Sequence, residues 1–238
     1  MVTEQATNQK LSEYAYEKIE HAIISARLDF GEPLSENALA VALNVSKAPV
    51  RTALLELQRK GLVEIVPQSG CYVATPSRDQ VLQLLDIRVL LETSALKSAM
   101  KNDAAGLIEE LQSHSDKLDE AFQRENWSEA QFHDTAFHKT IIMRSNNQYI
   151  LQSYENIVPL MKAMMRRFML TQQSRNKSLI DHQRIVASLV GRDITSANRI
   201  LRKHILKNAN FQSAPRWPEK RASRAEYADR DFSKVFDV

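Results

Sequence analysis

Cysteine is nearly missing from this chain. Cys71 is the only one in 238 residues, so neither an intramolecular disulfide nor a multi-cysteine metal cage can form. Such a chain suits a reducing compartment, and a cytoplasmic location is the expectation. Glycine is scarce too: there are five, Gly31, Gly61, Gly70, Gly106 and Gly191, three of them in the first 70 residues. Tight turns are therefore expected early and long helices later. No uncharged apolar run approaches the ~18 residues of a membrane span, and MVTEQATNQKLSEY lacks the apolar core of a signal peptide. No membrane partner is expected. Net charge is small, +3 at neutral pH. Residues 1–76 hold 7 Lys and Arg against 9 Asp and Glu, residues 77–211 hold 19 against 15, and residues 212–238 hold 6 against 5. Bulk charge thus does not argue for a nucleic-acid partner; only a local patch could. The HExxH helix, the nucleophile elbow and the phosphate-binding loop are absent as well, which removes the most recognisable hydrolase and nucleotide-binding signatures.

The first third of the chain has a legible grammar. Residues 10–27 place Leu11, Tyr14, Ile19, Ala22, Ile23 and Ala26 at roughly helical spacing, and DFGEPLSE ends that helix. Ser35 is a candidate N-cap for a short second helix, ENALAVAL. NVS is a turn. Ser46 can cap a third helix, KAPVRTALLELQRKG, whose Pro49 sits in the first turn, where a missing N–H costs little, and which stops at Gly61. LVEIV and CYVAT flank the turn PQSG and read as a hairpin. Helices joined by a tight turn and followed by a hairpin make a winged helix-turn-helix over residues 1–76. The third helix carries Lys47, Arg51, Arg59 and Lys60 against Glu56, a basic face in an acidic domain. Lys47 and Arg51 are four apart and share a face near the helix start, where a recognition helix meets base edges. Arg51 has the fork to read guanine; Lys47 can reach guanine or a phosphate. Val50, Leu54, Leu55 and Leu57 are expected to pack inward.

These residues resemble the N-terminal domain of the GntR family of transcription regulators. The likeness covers about residues 14–76: G-x-x-L-x-E from Gly31, LA-x-x-L-x-VS from Leu39, S-x-x-PVR-x-AL from Ser46, and GLV with G-x-x-V from Gly61 to Val73. Lys47 stands where arginine is frequent and Thr52 where glutamate is frequent, which bears on the operator sequence. The resemblance implies double-stranded DNA with a pseudo-palindromic site as partner. It assigns Ser46, Lys47, Val50 and Arg51 of the third helix, and Gly70 at the wing tip, to the DNA-binding set.

Residues 79–211 read as an antiparallel all-α bundle of six to seven helices, with spans near 79–101, 104–124, 127–145, 148–172, 175–190 and 193–211. The chain as a whole is mainly α. Leu82, Leu85, Val89 and Leu96 form one stripe; Ile180, Ile185, Val186, Leu189 and Val190 dominate another. The chain has six histidines. Asp134 and His138 are i and i+4 on a stripe continued by Ile141. His182 precedes Ile185, Val186 and Leu189, and His204 follows Ala197, Ile200 and Leu201, so both face inward. GRD at 191–193 is the turn between them, with Asp193 a candidate N-cap. His182 and His204 lie equally far from Asp193, roughly 16 Å along each helix at ~1.5 Å per residue, so a helix hairpin brings them level. One carboxylate and three imidazoles suit a divalent cation: zinc, nickel, manganese or iron. His133 is expected to face solvent or support the cluster from outside, and His21 and His114 have no partner at useful spacing.

DTAFH, the Asp181–His182 pair and the Ala197 to His204 spacing resemble the C-terminal FCD domain of the FadR-like branch of the same family. That resemblance implies a divalent metal on Asp134, His138, His182 and His204, a small organic acid as effector, and a homodimer. Asp181 stands where glutamate is frequent, and Asn147 is expected to cap a helix. Arg88 and Glu92 fit the first FCD helix, with Arg88 either in a structural ion pair or binding the effector carboxylate. Three functions are open: a ligand-responsive repressor or activator, a regulator with a purely structural metal, and a metal-dependent hydrolase with an accessory DNA-binding-like domain. The tail, residues 212–238, is read as disordered or as a short arm packed on a partner.

Overall fold

The computed structural model describes residues 2–168, 172–207, 227 and 230–236. The chain divides into two compact units, Met1–Pro76 with Asn156–Arg167 and Ala214–Val238, and Ser77–Glu155 with Phe168–Ser213.

The first unit contains α1 (Val2–Ile24), β1 (Pro33–Leu34), α2 (Glu36–Ala42), α3 (Lys47–Arg59), β2 (Val63–Val66) and β3 (Gly70–Val73). β3 is central in an antiparallel sheet of order β1-β3-β2, with Leu34 opposite Cys71 and Val66 opposite Gly70. The hairpin is the predicted wing; the two-residue β1 was not foreseen. Ser35 caps α2, its hydroxyl accepting from the Ala38 N–H at 3.3 Å. Asn44 takes φ 53° in the turn between α2 and α3. Val50, Leu54 and Leu57 of α3 are buried together with Ile19 and Ile23 of α1 and Leu39 of α2. Each such fully buried side chain is worth ~1.5–3 kcal/mol. Leu55, expected inside, is 46% exposed. It follows Leu54 by ~100° around the helix and so leaves the buried stripe.

The portion of α6 (Gln148–Phe168) in this unit is tied in by Arg167. Its guanidinium donates to the carbonyls of Ile23 at 2.9 Å and Leu28 at 2.5 Å and lies 4.1 Å from the Phe30 ring centre. Burial lowers its pKa to about 10.

The second unit is helical: α4 (Arg78–Gln123), α5 (Trp127–Arg144), part of α6 (Gln148–Phe168), α7 (Gln172–Val190) and α8 (Ile194–Lys207). Ser77 and Gln80 form a reciprocal capping box at the start of α4. α4 is two helical segments joined at Asp103, whose φ −157° and ψ 85° are non-helical, so the break expected after residue 101 is present without a loop. Asp103 restarts the helix by accepting the Gly106 N–H at 3.0 Å. Asn147 caps α6, accepting from Tyr149 and Ile150, and Asp193 caps α8, accepting from Ser196. Leu85, Val89, Leu96, Phe137, Ile141, Ile185, Val186, Leu189 and Leu201 are core. Leu82, Ile180 and Val190, placed on apolar stripes by spacing, are 47%, 44% and 64% exposed. The predicted helix ends at 169–171 and 208–211, and most of the tail, lie outside the described residues. Among the described residues, no single helix is long and apolar enough to cross a membrane.

Candidate metal centre and nucleic-acid interface

α3 opens on the solvent. Ser46 occupies its N-cap position but makes no side-chain capping bond, and Ser46, Lys47 and Arg51 are exposed. Arg51 is held by α2: its Nε and Nη2 donate to the Glu36 carboxylate at 3.2 and 2.9 Å. Gly70 opens β3 at the hairpin tip with φ 121°, a conformation that favours glycine. Val50 is a correction to the DNA-facing set. It is 0% exposed, shares the buried stripe with Leu54 and Leu57, and belongs to the core that aims Arg51 outward.

In the helical unit, three helices deliver the candidate ligands. Asp134 and His138 come from consecutive turns of α5, His182 from α7 and His204 from α8. All four are buried, and one ligand atom from each lies within 4.8 Å of the others. The Nε2 of His138 is 3.1 Å from that of His204 and 3.3 Å from that of His182; His182 Nε2 is 3.7 Å from Asp134 Oδ1. The level meeting of His182 and His204 across the Asp193 turn is observed, with ring centres 4.7 Å apart.

Three of the four ligands have a polar group behind them, while His182, its Nδ1 buried without a hydrogen-bond partner, is packed by a ring. His138 Nδ1 is 2.7 Å from Glu92 Oε2. An ionised carboxylate only accepts, so Nδ1 carries the proton and Nε2 points its lone pair into the cluster. Burial alone would raise the Glu92 carboxyl, but Arg88 and His138 hold it at about 2. Of the two roles open to Arg88, the ion pair is the one formed: Arg88 Nε donates to Glu92 at 2.5 Å, and both are buried. Burial, with the nearby Glu92 carboxylate, pushes the Tyr154 phenol well above its usual pKa. Ser178 donates to Asp134 at 3.1 Å, His182 stacks on Phe137 with ring centres 4.0 Å apart, and Asp181 lies 3.7 Å from His204 Nδ1 while accepting from Lys207 at 2.6 Å. Burial lowers the pKa of His138 and pushes that of His182 well below the usual imidazole range; the neighbouring His204 adds to both. Neutral imidazoles are the form that binds metal.

The supporting residues Glu92, Ser178, Phe137 and Tyr154 escaped sequence reading, although the Arg88–Glu92 spacing was noticed. His133 and His114 need correction. His133 is buried, and its Nδ1 is 3.2 Å from His114 Nδ1, so the two pair with each other outside the cluster. Their spacing of 19 positions spans the turn between α4 and α5 and leaves no local pattern.

The donor set fits a divalent cation. With metal–nitrogen bonds of ~2.0–2.1 Å, tetrahedral ligand atoms lie roughly 3.3–3.4 Å apart, close to the 3.1, 3.3 and 3.7 Å between the nearest pairs.

Comparison with known proteins gives two family matches along the chain. Residues 11–73 match the profile of bacterial regulatory proteins of the gntR family, and residues 83–207 match the FCD domain. The gluconate operon transcriptional repressor of Bacillus subtilis is 30% identical over 149 residues, 63% of this chain and 60% of that protein, so the match spans less than two thirds of that relative. The transcriptional repressor RspR of Escherichia coli is 27% identical over 203 residues, 84% of this chain and 86% of RspR. Among solved structures, a structural-genomics GntR chain from Rhodococcus sp. RHA1 shares the fold with TM-score 0.74 at 20% identity, covering 86% of this chain and 99% of that one. Escherichia coli McbR/YncC does so with TM-score 0.70 at 22% identity, covering 83% and 94%. With the FCD match alone covering more than half of its length, this chain belongs to the GntR family of bacterial regulators that carry an FCD domain.

Proposed function

We propose that this chain is a cytoplasmic, DNA-binding transcription regulator whose helical unit holds a divalent cation, zinc foremost, and takes a small organic acid as effector. The observation that carries the reading is the convergence of three imidazoles and a carboxylate in a bundle that follows a winged helix-turn-helix. Lys47 and Arg51 read base edges in the major groove with Ser46 beside them, the wing tip at Gly70 approaches the minor groove, and a homodimer places two copies of α3 on a pseudo-palindromic site. A cation held by Asp134, His138, His182 and His204 would supply positive charge for a carboxylate-bearing effector. The relatives are regulators, which leaves the hydrolase alternative without support. For regulation, the effector must bind the DNA-competent and DNA-incompetent states with different affinity.

The test is metal analysis and native mass spectrometry of the purified chain, followed by selection of duplex DNA from a random library. One cation per chain, a dimer mass and an enriched palindromic duplex are expected. Arg51→Ala should lose ~1–3 kcal/mol of binding to the selected duplex. The His182→Ala/His204→Ala double variant should lose the stoichiometric cation; retention of one tight ion per chain would remove the site. A chain whose DNA affinity is unchanged by zinc loading and by a panel of organic acids has a structural metal only.

A further inference from the structure

The two profile matches end at residues 73 and 207, yet Tyr227 and Arg230–Phe236 are built into the DNA-reading unit. Their anchor is Glu32, which is 0% exposed. A carboxylate so buried needs partners. Asp29 donates its backbone N–H to Glu32 Oε2 at 2.8 Å, and Arg230 Nε lies 2.8 Å from Glu32 Oε1. The grip is reciprocal: Arg230 Nη2 donates to the Arg27 carbonyl at 2.6 Å, and Arg27 Nη1 donates to the Val235 carbonyl at 3.1 Å. Phe232, Val235 and Phe236 are buried. The segment held, Arg27–Ser35, leads directly into β1 and the N-cap of α2. Tyr227 and Phe232 also line a cavity of about 520 Å³ together with Ser35, Glu36, Arg51 and Gly70. One wall of that cavity is therefore the arm, and another is the residue proposed to read bases.

We propose that the C-terminal arm, Tyr227 and Arg230–Phe236, is a positioning element of the DNA-reading surface. Arg230 and Phe232 fix the lead-in to α2, α2 presents Glu36, and Glu36 holds the Arg51 guanidinium in one plane before DNA arrives. A preoriented fork loses less conformational freedom on meeting guanine, so the benefit falls on specific binding. The inference rests on the DNA-reading function proposed above.

The experiment compares wild type, Arg230→Ala, Glu36→Gln and a chain ending at Glu226. Each is assayed against a duplex selected from a random library by the wild-type chain, against a scrambled duplex, and by hydrogen exchange. The expected result is a loss of about tenfold or more in affinity for the selected duplex, with little change for the scrambled one. Exchange across residues 27–42 accelerates in Arg230→Ala and the shortened chain, while α7 and α8 keep their protection; Glu36→Gln leaves exchange unchanged. Arg230→Lys recovers part of the affinity, and a peptide of residues 227–238 added in trans recovers it for the shortened chain. Unchanged selectivity in the arm variants overturns the proposal, and so does tighter binding, which would make the arm a shield. If the wild-type chain enriches no sequence, the DNA-reading function falls; the exchange data then decide alone whether the arm holds α2.

Discussion

Glu92 joins a buried arginine to a buried candidate ligand. Arg88 and His138 both bond it, and neither is appreciably exposed. Glu92→Ala leaves the Arg88 charge buried and unpaired and frees the His138 tautomer. Stability should fall by ~3–5 kcal/mol in urea denaturation, the range for breaking a buried pair. Affinity for zinc should fall 10–100-fold, the usual cost of losing a ligand's orienting partner. Replacing both charges, as in Arg88→Met/Glu92→Leu, should cost less stability than Glu92→Ala alone. If the double variant is the less stable one, the pair contributes more than its desolvation and this account is wrong. At this scale the sequence was legible where the signal is local. Arg88–Glu92 shows as i, i+4, and the inward aim of His138, His182 and His204 shows in their apolar neighbours. What Glu92 touches was not legible, because His138 lies 46 positions away and a carboxylate has no pattern that names its partner.

Among the elements, Ser35 and Ser46, the serines that open α2 and α3, divide stability from recognition. Ser35 accepts an N–H at the start of α2, and Ser46 accepts none at the start of α3. Ser35→Ala should therefore cost ~1 kcal/mol, while Ser46→Ala should stay within ~0.5 kcal/mol and lower DNA affinity instead. Thermal unfolding and DNA titration of the two variants check this; equal destabilisation would place a cap at Ser46 after all. The caps at Ser35, Asn147 and Asp193, the turn glycines and the hairpin were readable because they depend on a few adjacent residues; the cap expected at Ser46 is not formed. The apolar stripes were read with errors at their edges. Leu55, Leu82, Ile180 and Val190 sit about one residue's rotation from the buried line, and spacing alone does not say how wide the covering neighbour is. β1 escaped because two residues carry no periodicity, and only β3 makes them a strand.

On the scale of the whole molecule, the least legible feature is the arm. Arg230 meets Arg27 across 203 positions, a pairing that no local rule predicts. The convergence of Asp134, His138, His182 and His204 is long-range too, yet it was legible, because histidine is rare here and each one carries its own orientation signal. Removing the cation should be read by calorimetry. EDTA should lower the unfolding temperature of the helical unit by about 5–15 °C, corresponding to ~3–4 kcal/mol of ligand stabilisation. Unchanged melting would show that the cluster is held by its protein contacts alone.

The ligands' positions have one more consequence. His138 is 44 residues from His182 and 66 from His204. A single ion joining them closes loops of the size at which a covalent cross-link removes about 4 kcal/mol of unfolded-chain entropy. A chain with one cysteine has no disulfide to do this. The ion would act as a staple that the cell can withdraw: when metal is scarce, the bundle opens more often and proteases see it. The abundance of this regulator, and not only its grip on DNA, should then follow the metal supply.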